Sequence, residues 1–291
     1  MAGKTYFDRL TERLGTLRRR ATDQPPPVVV PPAAIAAETA PAPAPDVAPV
    51  SARAALERVI NERRGKVVFQ PIVDLATRQV YSYEALARSL EPTFKGPLEL
   101  FKAAVQERLV GQLGRLMRQL AIDGCTTHPL FINVHPNEFD EGWLVRPDEA
   151  LFWHEHQVYL EVTEAVPLSH FEQCHSVLKE IRSKGVKLAI DDLGAGYSNL
   201  RYIVELAPEI VKLDMELVQG VARHERQRKL VRAFARLCDD LGSKLVAEGI
   251  ETEEDFHAIL DAGVHLGQGY LLARPDNPPP EFKWPEDTRH R

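Results

Sequence analysis

Val186–Leu200 reads VKLAIDDLGAGYSNL, and the fold follows from what its acids share with the rest of the chain. Val186–Ile190 is a short apolar run of the kind that forms a buried strand. It ends in two adjacent acids, Asp191 and Asp192, followed by a glycine-punctuated turn, Gly194-Ala195-Gly196. Successive side chains of a strand point to opposite faces, so one carboxylate is expected at a barrel or sheet mouth and the other toward its rim. Taken alone, the pair also fits a polar turn whose aspartate caps the next helix. The rest of the chain decides against that.

Working outward, Val67–Val73 and Val80–Leu86 read as strands joined only by Asp74–Gln79. That gap is too short for a parallel crossover, so these two are expected to be antiparallel neighbours. A lead-in helix over Ala54–Arg64 precedes them, and a long helical region from Leu98 to Asp123 follows. Further strands end at Asn133 (LFIN), Glu161–Thr163 (VYLEVT), Asp191 (VKLAID), Asp214 (EIVKLD), Glu248 (KLVAE) and Gln268 (HLGQ). Helical segments intervene over Leu168–Lys184, Leu200–Leu206, Glu216–Gly242 and Thr252–Ala262. Eight strands, most joined by helices, carry polar residues at one C-terminal end after another, where a (β/α)8 barrel gathers its catalytic groups. An open sheet would hold its outer strands too far apart for those residues to converge. The expectation is a modified (β/α)8, TIM-like α/β barrel with an antiparallel first strand.

Composition sets the limits around that core. With 44% hydrophobic and 27% charged residues, the chain has the make-up of a globular protein. A net charge of -6 argues against broad nucleic-acid affinity, so DNA is not an expected partner. Cys125, Cys174 and Cys238 are widely spaced, without metal-ligand spacing, and read as buried free thiols in a reducing compartment. No apolar run reaches the length of a membrane span, and the start lacks a signal-peptide core, so a cytoplasmic location is expected.

Residues 1–20 read as a basic amphipathic helix. Tyr6, Phe7, Leu10, Leu14 and Leu17 share one face, and Arg9, Arg13, Arg18, Arg19 and Arg20 occupy the remainder. Such a segment suits peripheral contact with an anionic membrane surface or a partner groove, or else it is a marginal, solvated helix. Residues 21–50 are a Pro/Ala-rich linker in a disordered N-terminal arm. Residues 51–280 are assigned to the barrel and 281–291 to a polar C-terminal tail.

The strand ends supply Glu84, Asn133, Glu161, Asp191, Asp192, Lys212, Glu248 and Gln268. Several carboxylates at one barrel mouth repel one another unless a cation sits among them. Oxygen-rich ligands without His or Cys point to magnesium or manganese, not zinc. Adjacent aspartates can bridge or split between two ions, the arrangement that clamps attacking and leaving oxygens in phosphoryl chemistry.

Seven ordered motifs carry a family resemblance. They are Glu84-Ala85-Leu86 followed by Arg88; Phe69-Gln70-Pro71-Ile72; Asn133-Val134-His135-Pro136; Glu161-Val162-Thr163-Glu164; Asp191-Asp192-Leu193-Gly194-Ala195-Gly196-Tyr197-Ser198; Lys212-Leu213-Asp214 with Glu248-Gly249-Ile250-Glu251; and Gln268-Gly269-Tyr270. Together, over about residues 67–275, they resemble the EAL-domain cyclic di-GMP phosphodiesterases. The resemblance implies hydrolysis of that bacterial second messenger to linear pGpG with two Mg2+ or Mn2+ ions. It implies that Glu84, Asn133, Glu161 and Asp191 hold one metal, and that Asp191 with Asp192 holds the other. Gln268 would hold a metal-bound water or the second ion. Lys212 would orient the nucleophilic water, and Glu248 would be its general base. Arg88 would grip a phosphate as a fork donor, with Gln70 near the substrate. Glu164 and Glu251 would be anchors that fix the catalytic loop.

Two positions depart from the family pattern. His135 stands where a small polar residue is usual, and Leu193 replaces a phenylalanine; neither removes a ligand. A homodimer, coupled to the Asp191–Ser198 loop, is expected by the same resemblance. Two alternatives accompany the enzyme reading: a catalytically silent cyclic di-GMP receptor signalling through the N-terminal arm, and a nucleotide-free protein scaffold.

Overall fold

A computed structural model describes residues 51–163, 171–194 and 200–285. The N-terminal arm, Glu164 and the greater part of the glycine-rich loop lie outside the described residues. The first helix among the described residues, α1 (Ala52–Asn61), is capped by Ser51, whose hydroxyl accepts the Ala54 N–H.

Eight strands close in sequence order into one barrel. They are β1 (Gly65–Asp74), β2 (Gln79–Ser89), β3 (Leu130–Asn133), β4 (Val158–Thr163), β5 (Lys187–Leu193), β6 (Ile210–Leu213), β7 (Lys244–Ala247) and β8 (Leu266–Gly267). β1 runs antiparallel to both its neighbours, β2 and β8, whereas the other adjacent pairs are parallel. This is the modified (β/α)8 barrel expected from the sequence.

Two-residue periodicity places the functional layer. Ile72, Phe131, Tyr159, Ala189, Ile210, Val246 and Leu266 form a buried apolar cluster separate from the main core. Two positions further along their strands stand Asn133, Glu161, Asp191, Lys212, Glu248 and Gln268. β1 runs the other way, so Gln70 lies two residues before Ile72. Since residues i and i+2 share a strand face, the polar set stacks directly on the apolar plug.

The surrounding helices are α2 (Pro97–Gln106), α3 (Val110–Gly124), α4 (Phe171–Ser183), α5 (Arg201–Leu206), α6 (Met215–Val218), α7 (Glu225–Leu241) and α8 (Glu253–Asp261). Leu100, Leu113, Ile181, Val231 and Phe256 from these helices are fully buried in the main core. That core packs the helices onto the outward faces of the strands.

The long helical region expected over Leu98–Asp123 consists of two helices. α2 closes with the Leu109 N–H on the Ala104 carbonyl and the Arg108 N–H on the Val105 carbonyl. Arg108 sits between them at φ 57°. These are the paired bonds of a Schellman ending, which usually places glycine at the left-handed position. Arginine there gives no breaker signal in the sequence. Arg108→Gly should remove the Cβ strain, partly offset by greater unfolded-chain entropy, for a net gain of about 0.5 kcal/mol. Chemical denaturation checks this; a loss of stability would contradict the left-handed assignment.

The segment Glu216–Gly242 likewise divides, into α6 and α7, and here Gly220 at φ 78° marks the intervening turn. In β2 the register passes from Ser82, opposite Ile72, to Val80, opposite Val73, leaving Tyr81 as an extra residue. This bulge carries the Tyr81 hydroxyl to 2.5 Å from that of Tyr159. Residues 281–285, assigned above to the polar tail, pack on the barrel: Phe282 and Trp284 lie against the core, and the Lys283 N–H donates to the Leu272 carbonyl.

Candidate active site

Lys212 is the centre of the polar layer. Only 1% of it is exposed, and its Nζ lies 2.6 Å from Glu161, 2.6 Å from Glu248, 3.2 Å from Asp191 and 3.5 Å from Glu84. Four strands, β2, β4, β5 and β6, and the end of β7 thus meet on one ammonium group. Two side-chain amides complete the network. Asn133 Nδ2 donates to Glu84 (3.1 Å) and Glu161 (2.6 Å). Gln268 Nε2 donates to Glu84 (2.6 Å) and Gln70 (3.2 Å), and Gln70 in turn donates to the Ala273 carbonyl (3.1 Å). With its nitrogen engaged by two carboxylates, the Asn133 amide has its oxygen left for a cation.

The paired aspartates depart from simple strand alternation. Ile190 pairs with Val211 and Leu193 with Leu213, so three steps along β5 oppose two along β6. The extra residue is accommodated where Asp192 takes a left-handed φ of 61°. A bulge with that backbone re-aims a side chain, so both aspartates turn toward the site instead of to opposite faces. One carboxylate oxygen each from Asp191, Asp192 and Glu248 lies within 4.8 Å of the other two. Glu248, read from the sequence as a base, therefore also stands in this cluster. Gly249 at φ 68° turns the chain immediately after it, and a Cβ there would overlap Met215.

The electrostatics follow from burying many acids around one base. Burial, reinforced by the Glu84 charge, pushes the Glu161 carboxyl well above its ordinary range. Glu248 is likewise raised well above it by burial, with Asp191 and Glu84 adding to the effect against Lys212. Asp191 is raised by burial, less Lys212's opposing pull. Glu84 ends below its usual value: burial raises it, but Lys212 and the Gln268 and Asn133 amides outweigh that. Burial works to lower Lys212, and the surrounding carboxylates overcome it to hold the ammonium form firmly. Four carboxylates share one lysine and Asp192 adds a fifth beside them, a surplus of negative charge that a divalent cation would relieve. Oxygen donors at this spacing fit a small, hard ion.

Arg88 lies on β2 four residues beyond Glu84, on the same strand face, half-buried, with Nη1 donating to the Ala87 carbonyl at 2.8 Å. Near it the half-exposed Tyr270 carries the Arg274 guanidinium 4.4 Å over its ring. Of the two expected anchors, Glu251 is exposed and makes no hydrogen bond or ion pair with the described residues, and Glu164 lies outside them. The loop they would fix, and with it the expected dimer coupling, also lies outside the described residues. His135 caps the 3-10 turn Pro136–Asp140 by accepting the Asn137 N–H at 3.2 Å, and it stacks on Phe101. Leu193 is buried in the main core.

The sequence reading missed a buried ionic network behind β3, in which Arg118 pairs with Glu138 and Glu149. Its one sequence signal is an arginine four residues from Gly114 and three from Ala121 on the inward face of α3.

Comparison with known proteins matches residues 53–275 to the EAL domain family. The chain is 32% identical over 243 residues to the cyclic di-GMP phosphodiesterase PA2567 of Pseudomonas aeruginosa, an alignment covering 79% of this chain and 41% of that protein. It is similar to BlrP1 of Klebsiella pneumoniae, solved in a complex with manganese and cyclic di-GMP. There the identity is 34%, the TM-score 0.66, and the coverage 75% of this chain and 57% of that one. It is also similar to a standalone EAL protein of Vibrio cholerae in its c-di-GMP-bound form, with 27% identity, a TM-score of 0.63, and coverage of 75% and 95% respectively. The chain thus spans well under two thirds of PA2567 and of BlrP1.

Proposed function

The chain belongs to the EAL domain family, and from that premise we propose that it is a metal-dependent phosphodiesterase that hydrolyses cyclic di-GMP to linear pGpG. The observation that carries the proposal is the convergence of Asp191, Asp192 and Glu248 within 4.8 Å of one another, beside the Lys212 cage. A receptor has no need for a left-handed Asp192 that brings a second aspartate into that cluster.

In this reading Glu84, Asn133, Glu161 and Asp191 hold one Mg2+ or Mn2+, and Asp191 with Asp192 holds a second, with Gln268 assisting. Two such ions, when bound, supply Lewis-acid polarisation of the phosphodiester and acidify a nearby water. The protein's own groups do the rest. Arg88 grips a phosphate oxygen, and Gln70, within the polar layer, stands near the substrate. Lys212 orients the attacking water and offsets charge. Glu248 takes the water's proton as oxygen attacks phosphorus and the bond to the 3′ oxygen breaks; a proton from solvent completes the free 3′ hydroxyl, Glu248 returns its own to solvent, and a 5′ phosphate is left. Glu164 anchors the neighbouring loop, a role not extended to the exposed Glu251.

Homodimerisation and a cytoplasmic location, with residues 1–20 at a membrane surface or partner, belong to the same proposal. Among the described residues no helix is long and apolar enough to cross a membrane.

Metal dependence tests the site. Activity should appear with Mg2+ or Mn2+ and vanish in excess chelator, and Ca2+ should inhibit by occupying the site with looser geometry. Full activity in chelator would end the two-metal reading.

A further inference from the structure

We propose that Glu138, held by Arg118, is a positioning residue that fixes Asn133 and, through it, the metal-facing carboxylates Glu84 and Glu161. This rests on the metal reading of Asn133 given above. Asn133 is the last residue of β3, and the chain leaves it through Val134 and His135 into the turn Pro136–Asp140. Bonds from two main-chain N–H groups set that exit. The Val134 N–H donates to the Glu161 carbonyl at 3.1 Å, and the His135 N–H donates to Glu138 Oε1 at 3.0 Å. Glu138 thus fixes the backbone two residues beyond a side chain that bridges Glu84 and Glu161.

Glu138 is itself immobilised. It is fully buried, and Arg118 Nη1 reaches its Oε2 at 2.5 Å while Arg118 Nε reaches Glu149 at 2.7 Å. The helix side is shaped to receive it, since a Cβ at Gly114 would overlap the Glu138 carboxylate. One turn earlier, the Gly111 N–H donates to Glu141 at 3.0 Å, tying the same loop to α3 a second time. Burying three charges for stability alone is a poor device, because an apolar triad of similar volume holds a core at least as well. What the charges add is direction: a planar guanidinium sets the carboxylate, and the carboxylate sets the exit of β3.

Mn2+ titration of the full chain without nucleotide tests this, together with thermal unfolding and turnover. Glu138→Ala should weaken Mn2+ binding about 10- to 100-fold, the usual effect of removing a group that orients a ligand. Glu138→Gln, which can still accept the His135 N–H, should restore affinity to within a few-fold of the wild type. Arg118→Met/Glu138→Leu/Glu149→Met should fold and yet bind Mn2+ at least 10-fold more weakly, which keeps the test open if Glu138→Ala fails to fold. Val231→Ala, a buried truncation on α7 outside the network, should lower the melting temperature and leave Mn2+ affinity unchanged. Wild-type affinity in the folded triple variant would overturn the positioning role alone. A wild type that binds no Mn2+ would overturn the metal reading, and this inference with it.

Discussion

Glu248→Gln is expected to bind cyclic di-GMP within about tenfold of the wild type and to cleave it 10²–10⁴-fold more slowly, a loss of roughly 3–5 kcal/mol of transition-state stabilisation. Glutamine keeps the shape of the side chain and can still accept from Lys212, which lies 2.6 Å from the native carboxylate. What it lacks is the ability to take a proton. Ground-state binding does not draw on that transfer, so turnover and affinity should separate. Glu84→Ala should behave differently. It removes a carboxylate that engages Lys212, Asn133 and Gln268 together, and it should weaken both nucleotide binding in magnesium and turnover. Single-turnover kinetics under saturating Mn2+, with affinity measured in Ca2+, distinguish the two. Equal losses of rate and affinity in Glu248→Gln would remove Glu248 from the role of base.

Lys212→Met should produce the largest loss of stability of any single change in the site. It leaves Glu84, Glu161, Asp191 and Glu248 without their common cation in a largely buried site. Breaking a buried ion pair from one side typically costs about 3–5 kcal/mol. For a domain of this size that lowers the melting temperature by roughly 6–20 °C. The pH dependence has a definite sign. Burial already raises Glu161 and Glu248 above their unfolded values, and loss of the ammonium raises them further. The folded variant then binds more protons than the unfolded chain, so its stability falls as pH rises through the ordinary carboxylate range toward the raised folded values. The deficit against the wild type should be larger at pH 8 than at pH 5, and saturating Mn2+ should recover part of it. A deficit independent of both pH and metal would mean that Lys212 is merely packed.

Much of the barrel is legible in the sequence because its interior obeys a two-residue period. Ala189 and Asp191, Ile210 and Lys212, and Val246 and Glu248 each place an apolar plug residue below a polar one on the same strand face. The acids at successive strand ends therefore indicate a closed barrel and a shared mouth. Deviations from the period left less trace. The bulge at Asp191–Asp192 turns both carboxylates inward through a left-handed Asp192, a conformation that a residue name does not announce. Tyr81 reaches Tyr159 only because β2 carries an extra residue there. Arg108 ends a helix where glycine would ordinarily signal the end. The Arg118 network is long-range, joining α3 to carboxylates 20 and 31 residues away, and local pattern carries no information about such pairings.

The most direct measurement is incubation of the purified protein with cyclic di-GMP and Mg2+ or Mn2+ in ¹⁸O-labelled water, with the products separated chromatographically and weighed by mass spectrometry. The account predicts linear pGpG carrying one labelled oxygen on its 5′ phosphate, formed only when the metal is present. Cyclic di-GMP that binds and is returned intact with either metal would contradict hydrolysis and leave a receptor in its place.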